Sequence, residues 1–111
     1  MFYLEEFRDY LQFERGLSPR TLEAYGRDLN RLVDYAKRLG YEDVERLTPT
    51  HLREFVYGLK DQGLQATSIR RTLSGVRTYF GFLIAEGHVK ADPTEQVEMP
   101  KVWRRLPGVL S

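Results

Sequence analysis

The 111-residue chain predicts an all-α fold, a compact bundle of four helices with a short fifth helical turn. Two observations carry the prediction. Apolar residues recur at three- and four-residue intervals as far as Gly87 with no two-residue alternation, and Pro and Gly stand where helices start and stop.

Phe7, Tyr10, Leu11 and Glu14 follow Phe2 and Tyr3 at helical intervals, so a first helix is expected over 2–15, ended by Gly16 in a left-handed cap. Ser18-Pro19 opens a second helix, with Ser18 as N-cap and Pro19 at the first helical position, where its missing N–H does no harm. Leu22, Tyr25, Leu29, Leu32, Val33 and Ala36 share its apolar face, and Gly40 closes it. Thr48-Pro49 repeats the start signal for a third helix with Leu52, Phe55, Val56 and Leu59 inward, ending at Gly63. A fourth helix is expected from Ala66 to Glu86, with Ile69, Leu73, Val76, Phe80, Leu83 and Ile84 inward and Gly87 as stop. Asp92-Pro93 starts a short helical turn through Val97. Beyond it, Met99-Pro100 and Leu106-Pro107-Gly108 interrupt regular structure, so residues 1–98 read as one domain and 99–111 as a linker.

Composition excludes several classes. Cysteine is absent, which removes disulfides, thiolate metal sites and a thiol nucleophile. No apolar run approaches the ~20 residues that cross a bilayer, and Met1 to Glu6 lack a signal-peptide pattern, so a cytoplasmic protein away from membranes is expected. His51 and His88 are far apart and read as surface residues, Glu5-Glu6 and Glu42-Asp43 as solvated carboxylates. No glycine-rich phosphate loop occurs. Tyr10, Tyr25, Tyr35 and Tyr79 fall on apolar faces and read as core residues with edge-exposed hydroxyls. Neither a metal site nor a cofactor nor a catalytic constellation is expected.

The formal net charge of +1 hides an uneven distribution: residues 1–63 carry ten basic and twelve acidic groups, and residues 64–111 carry seven and four. Residues 64–85 hold Arg70, Arg71 and Arg77 with no acid, and 99–111 hold Lys101, Arg104 and Arg105, again with none. At about 100° per residue, Arg20, Arg27, Arg31 and Arg38 cluster on the far side of the second helix from its core. Thr67, Arg71, Ser74 and Thr78 do so on the fourth, flanked by Arg70 and Arg77. A solvated helix face usually pairs Glu with Lys at i,i+4; the fourth helix does not, which suggests that its arginines are kept free. Arginine forks and small hydroxyls suit phosphates and base edges, and the helix starts at Ser18 to Thr21 and Thr67-Ser68 suit phosphate. A plain solvated surface is the alternative. Gly26, Gly58, Gly75 and Gly81 each weaken a helix interior by ~1 kcal/mol relative to Ala. Helix packing reads as the cause for most of them, Gly26 included, and at Gly75, beside Arg71, a bare backbone could also let a ligand approach closely.

The ordered set Glu14-Arg15-Gly16-Leu17-Ser18, Thr21-Leu22, Tyr25-Gly26-Arg27-Asp28-Leu29, Leu47-Thr48, Gly63-Leu64, Ser68-Ile69-Arg70-Arg71, Leu73-Ser74 and Arg77 resembles tyrosine recombinases of the Xer and phage-integrase type. Phe82-Leu83-Ile84-Ala85-Glu86-Gly87, Asp92-Pro93-Thr94, Pro100-Lys101 and Leu106-Pro107 continue the likeness over essentially the whole chain. The resemblance implies an N-terminal core-binding, SAM-like domain of four or five helices, one jaw of a clamp on double-stranded DNA. It implies contacts from Ser18, Arg20, Thr21, Ala24 and Arg27 on the second helix, and from Thr67, Ser68, Arg70, Arg71, Ser74 and Gly75 on the fourth. Lys101, Arg104 and Arg105 would follow the DNA backbone in the linker to a C-terminal catalytic domain. That domain would carry the tyrosine nucleophile and the Arg, Lys and His-x-x-Arg set; His51-Leu52-Arg53 has the wrong spacing to supply it. The implied chemistry of the parent protein is strand cleavage through a 3′-phosphotyrosyl link and strand exchange without a nucleotide cofactor, within a tetramer on nucleoid DNA. This fragment is expected to be a non-catalytic monomer. The competing reading is a helical protein-interaction module whose stripes meet acidic partners or recombinase subunits, with Glu5, Glu6 and Asp9 as candidate contacts. Either way, the DNA reading requires arginines of two neighbouring helices to converge without being consumed by internal ion pairs.

Overall fold

The structure is a computed structural model that describes residues 1–98. The predicted linker, with Lys101, Arg104 and Arg105, lies outside these residues. Among the described residues there are four α-helices and no strand.

The first helix is shorter and less regular than a single segment over 2–15. Tyr3 takes a left-handed conformation (φ 57°), so α1 begins only at Leu4 and runs to Asp9. The residues before it are tied elsewhere: the Tyr79 hydroxyl donates to the Phe2 carbonyl, and Val44 N–H donates to the Met1 carbonyl at 3.2 Å. After Asp9 the hydrogen-bond ladder widens into a π-helical turn over Tyr10–Glu14, closed by Arg15 N–H on the Tyr10 carbonyl. Phe7 and Leu11 are buried, while Phe13 is 75% exposed.

Helix α2 spans Pro19–Arg38, and Ser18 caps it by accepting from Thr21 N–H. A single 3-10 turn at Val44–Arg46 tucks Val44 into the core and leads to α3, Pro49–Asp61. The α3 start is a reciprocal cap. Thr48 Oγ1 accepts from His51 N–H at 3.3 Å, and His51 Nδ1 accepts from Thr48 N–H at 3.1 Å, a histidine version of the capping box. His51 is therefore a half-buried capping residue and not a plain surface one, its ring edge-on to Tyr41. His88 is also half-buried, stacked on Tyr3 with ring centroids 3.8 Å apart and with Nε2 2.8 Å from Glu6 Oε2.

Helix α4, Ala66–Ala85, is the central rod. It buries Ile69, Leu73, Val76, Phe80 and Leu83 as the periodicity predicts. It also buries Thr72, Gly75, Tyr79 and Phe82, because α1 and α2 cover a flank that a single apolar stripe leaves open. Ile84 is the exception: it is 39% exposed at the helix end and does not face inward. The helix stops in a Schellman arrangement, His88 N–H on the Leu83 carbonyl and Gly87 N–H on that of Ile84, with Gly87 at φ +78°. In place of a fifth helix, residues 92–97 form hydrogen-bonded turns. Asp92 Oδ1 accepts from both the amide and the hydroxyl of buried Thr94, competing with a helical ladder as Asp readily does.

Tyr79 is wholly buried with its hydroxyl on the Phe2 carbonyl, not at an exposed edge. Burial raises its pKa well above the ordinary tyrosine value. Tyr35 is pushed up to about 12, first by burial and then by the neighbouring Glu54 carboxylate, to which its hydroxyl donates at 3.3 Å. A raised folded-state pKa favours the protonated form. The associated stability is thus complete below the unfolded-state value near ~10 and is lost as pH climbs from there toward the folded-state values. Denaturant midpoints should be flat from neutral pH to about 9 and fall above about 10. Tyr79→Phe should reduce the slope of that fall, and an unchanged slope would exclude Tyr79 from it. At the α3 start, Thr48→Ala should cost about 1 kcal/mol in urea unfolding.

Candidate nucleic-acid interface

Helices α2 and α4 pack directly against each other and leave a solvent-open groove of about 370 Å³ along their seam. It is lined by Thr21, Ala24, Tyr25 and Asp28 from α2 and by Thr67, Arg70, Arg71, Ser74 and Gly75 from α4. The residues predicted from the two helices thus come together in part, and the expected convergence of unconsumed arginines from both helices is not met: the two arginines of the groove, Arg70 and Arg71, both belong to α4, and Arg71 is ion-paired. Thr21, Ala24, Thr67, Arg70, Arg71, Ser74 and Gly75 share one surface, whereas Arg20, Arg27, Ser18 and Ser68 do not line it. The α2 residues facing the groove lie roughly a quarter turn round the helix from the arginine stripe. Arg20 and Arg27 are exposed on the outer side, with no ion pair among the described residues. Ser18 is occupied: its Oγ caps α2 and lies 3.0 Å from Thr21 Oγ1.

Sequence reading missed the centre of the groove. Asp28 is 2% exposed. A buried carboxylate is costly unless donors surround it, and α4 supplies them. Arg71 binds it side-on, Nε to Oδ2 at 3.3 Å and Nη2 to Oδ1 at 3.1 Å, and the Thr72 hydroxyl donates to Oδ1 at 3.0 Å. Arg31 Nη1 lies 3.9 Å from the same oxygen and has no hydrogen-bond partner. The Asp28 hydrogen bonds, followed by its charge, raise the Arg71 pKa. The expectation of free arginines on α4 is therefore corrected at two positions. Arg71 is held by Asp28, and Arg77 donates to the Val97 carbonyl. Neither partner lies on α4, so its own acid-free sequence gave no warning. Arg71 is nonetheless 52% exposed at its side chain, and Arg70 is exposed with no ion pair among the described residues.

Helix packing accounts for Gly75 but not for Gly26. A Cβ at Gly75 would meet the Tyr25 ring at 3.5 Å, so Gly75 is a close helix–helix approach as well as part of the groove lining. Gly26, expected to be packed, is exposed with open space where a Cβ would lie. The α4 start is also open: Gln65 makes no side-chain cap and the first turn carries no acid, which leaves its unpaired N–H groups to solvent. Glu5, Glu6 and Asp9 are all exposed on α1. Among the described residues no cluster of His, Asp or Glu is arranged to hold a metal ion, and no helix is long and apolar enough to cross a membrane.

A small all-α domain with a cationic groove between its second and fourth helices is the class that this geometry defines. Residues 4–87 match the family described as phage integrase, N-terminal SAM-like domain, and the chain belongs to that family. It is 40% identical over 107 residues to the tyrosine recombinase XerC of Xanthomonas campestris, covering 96% of this chain and 33% of that protein. It is 38% identical over 109 residues to the tyrosine recombinase XerD of Oceanobacillus iheyensis, covering 97% of this chain and 37% of that protein. The chain thus spans about a third of the length of the curated relatives it matches. No solved structure matches it.

Arg71→Ala should destabilise the domain by about 1–3 kcal/mol in urea unfolding, because buried Asp28 keeps only the Thr72 hydroxyl as a close donor. Arg70→Ala, at an unpaired surface position, should stay within about 0.5 kcal/mol. Equal losses would contradict the asymmetry between these adjacent arginines.

Proposed function

We propose that this domain grips double-stranded DNA through the α2–α4 groove, as the N-terminal clamp of a site-specific tyrosine recombinase or integrase. The observation that carries the reading is the gathering of two arginines and three small hydroxyls, Arg70, Arg71, Thr21, Thr67 and Ser74, around one open groove. Side chains of these types donate to phosphates and base edges. Arg20 and Arg27 extend positive charge along the outer side of α2, where they would meet the flanking phosphates. The uncapped start of α4 adds N–H donors beside Thr67. Lys101, Arg104 and Arg105 are assigned to the backbone of the same duplex, in a linker toward a catalytic domain. Cleavage and rejoining, and assembly with other recombinase subunits, belong in this reading to the parent protein, and this domain supplies grip and register.

Fluorescence anisotropy with a labelled duplex tests the proposal. Binding should weaken steeply with salt, as counterion release requires. Arg70→Ala and Arg27→Ala should each lower the log–log salt slope by about 1. Affinity indifferent to salt, or a slope unchanged in Arg70→Ala, would exclude the groove as the phosphate-binding surface, and a slope unchanged in Arg27→Ala would exclude the outer side of α2 from the contact.

A further inference from the structure

We infer that Asp28 is a positioning residue for Arg71, presenting its guanidinium end-on into the groove as a reader of guanine. This rests on the DNA-binding reading above and names what one side chain in that interface recognises. A guanidinium has five N–H donors in a rigid plane. Asp28 engages Nε–H and one Nη2–H along one edge, through both carboxylate oxygens. The second Nη2–H and both Nη1–H bonds remain. One from each nitrogen points forward, parallel, at the tip of the side chain. The Arg71 side chain is half exposed and lines the groove while the Asp28 carboxylate is buried, and the edge turned away from Asp28 is the one assigned to the ligand. Two parallel donors at this spacing match two adjacent acceptors, and on a base edge in the major groove guanine offers such a pair, O6 and N7.

Fixing the plane is what turns a cation into a reader. An unsupported arginine follows phosphate charge wherever it lies, and Arg70, without an ion pair, is such a group. Arg71 is held in direction by a carboxylate on a different helix, and the Thr72 hydroxyl on Oδ1 holds that carboxylate in turn. Asp28 lines the floor of the groove but is 2% exposed, and both of its oxygens are engaged by Arg71, so the role inferred for it is through Arg71.

The test uses the 111-residue chain and a pool of duplexes with a randomised central segment, recovering bound molecules and counting bases at each position. The wild-type chain should enrich guanine at one position by about tenfold. Arg71→Lys, which lacks the paired donors, and Asp28→Asn, which keeps the shape but loses the charge, should each cut this to about twofold. Enrichment elsewhere and the salt dependence of binding should change little. A guanine preference that survives both substitutions, or none in the wild type, overturns the inference while leaving DNA binding intact; failure of the wild type to retain the pool overturns the DNA reading itself. If Asp28→Asn unfolds, nitrogen-detected NMR of the free wild-type chain replaces it. Arg71 Nε–H should exchange with solvent at least tenfold more slowly than Arg70 Nε–H, and equal rates would refute the positioning role.

Discussion

One buried carboxylate sets the relation between the two longest helices. Asp28 sits in the α2–α4 seam with Arg71 and Thr72 as its donors. Such a cluster is weak evidence for net stability, because desolvating the charge offsets most of what the contacts return. Its effect is on register. A slide of one turn would cost apolar packing along the seam and would in addition strip the carboxylate of its donors, leaving a buried charge uncompensated. Arg71, Gly75 and Ser74 face α2 where they do because any other alignment leaves Asp28 alone in the core. Gly75 is part of the same constraint, since it admits the Tyr25 ring against α4 one turn away.

The helices were legible because each carries its own boundary chemistry. Ser18-Pro19 and Thr48-Pro49 are local signals that need no partner, and Gly40, Gly63 and Gly87 all adopt the left-handed conformation expected of a stop. What escaped was set by distant parts of the chain. The late start of α1 depends on Tyr79 and Val44 holding the residues before it, contacts more than 40 positions away. Burial of Thr72, Tyr79 and Phe82 depends on α1 and α2 lying across a flank of α4 that looks only moderately apolar in sequence. Ile84 reads as core by composition, yet it is exposed where the helix runs past the end of the core.

The groove was half legible for a related reason. Counting arginines by helical angle finds the outward stripe of α2, but a seam is lined by residues flanking the contact, which are small or polar. Thr21 was legible only as part of a helix start, and Ala24, which carries no electrostatic signal, came only from the family resemblance. Asp28 had one visible clue: its angle sets it on the border between the apolar Leu32 and Tyr25 and the Arg31 of its own helix. Arg31 approaches that carboxylate only to 3.9 Å, so its hydrogen-bond donors come from another element, the acid-free helix that carries Arg71 and Thr72.

In the proposed interface, the adjacent Arg70 and Arg71 would divide two tasks on one helix. Ordering a long side chain at an interface costs on the order of 0.5–1.5 kcal/mol. For Arg71 most of that freedom is already lost on folding, so in the proposed interface a matching base edge would return nearly the full interaction, and a mismatched edge would leave oriented donors unsatisfied. Arg70 retains its freedom and can follow phosphate charge on any sequence, losing entropy at each encounter. In that proposal, attraction to the polyanion would fall mainly to Arg20, Arg27 and Arg70, which have no ion pair among the described residues, and discrimination to the one arginine tied to a buried acid. The ion pair that removes Arg71 from the pool of free charge is, on this argument, what makes it selective.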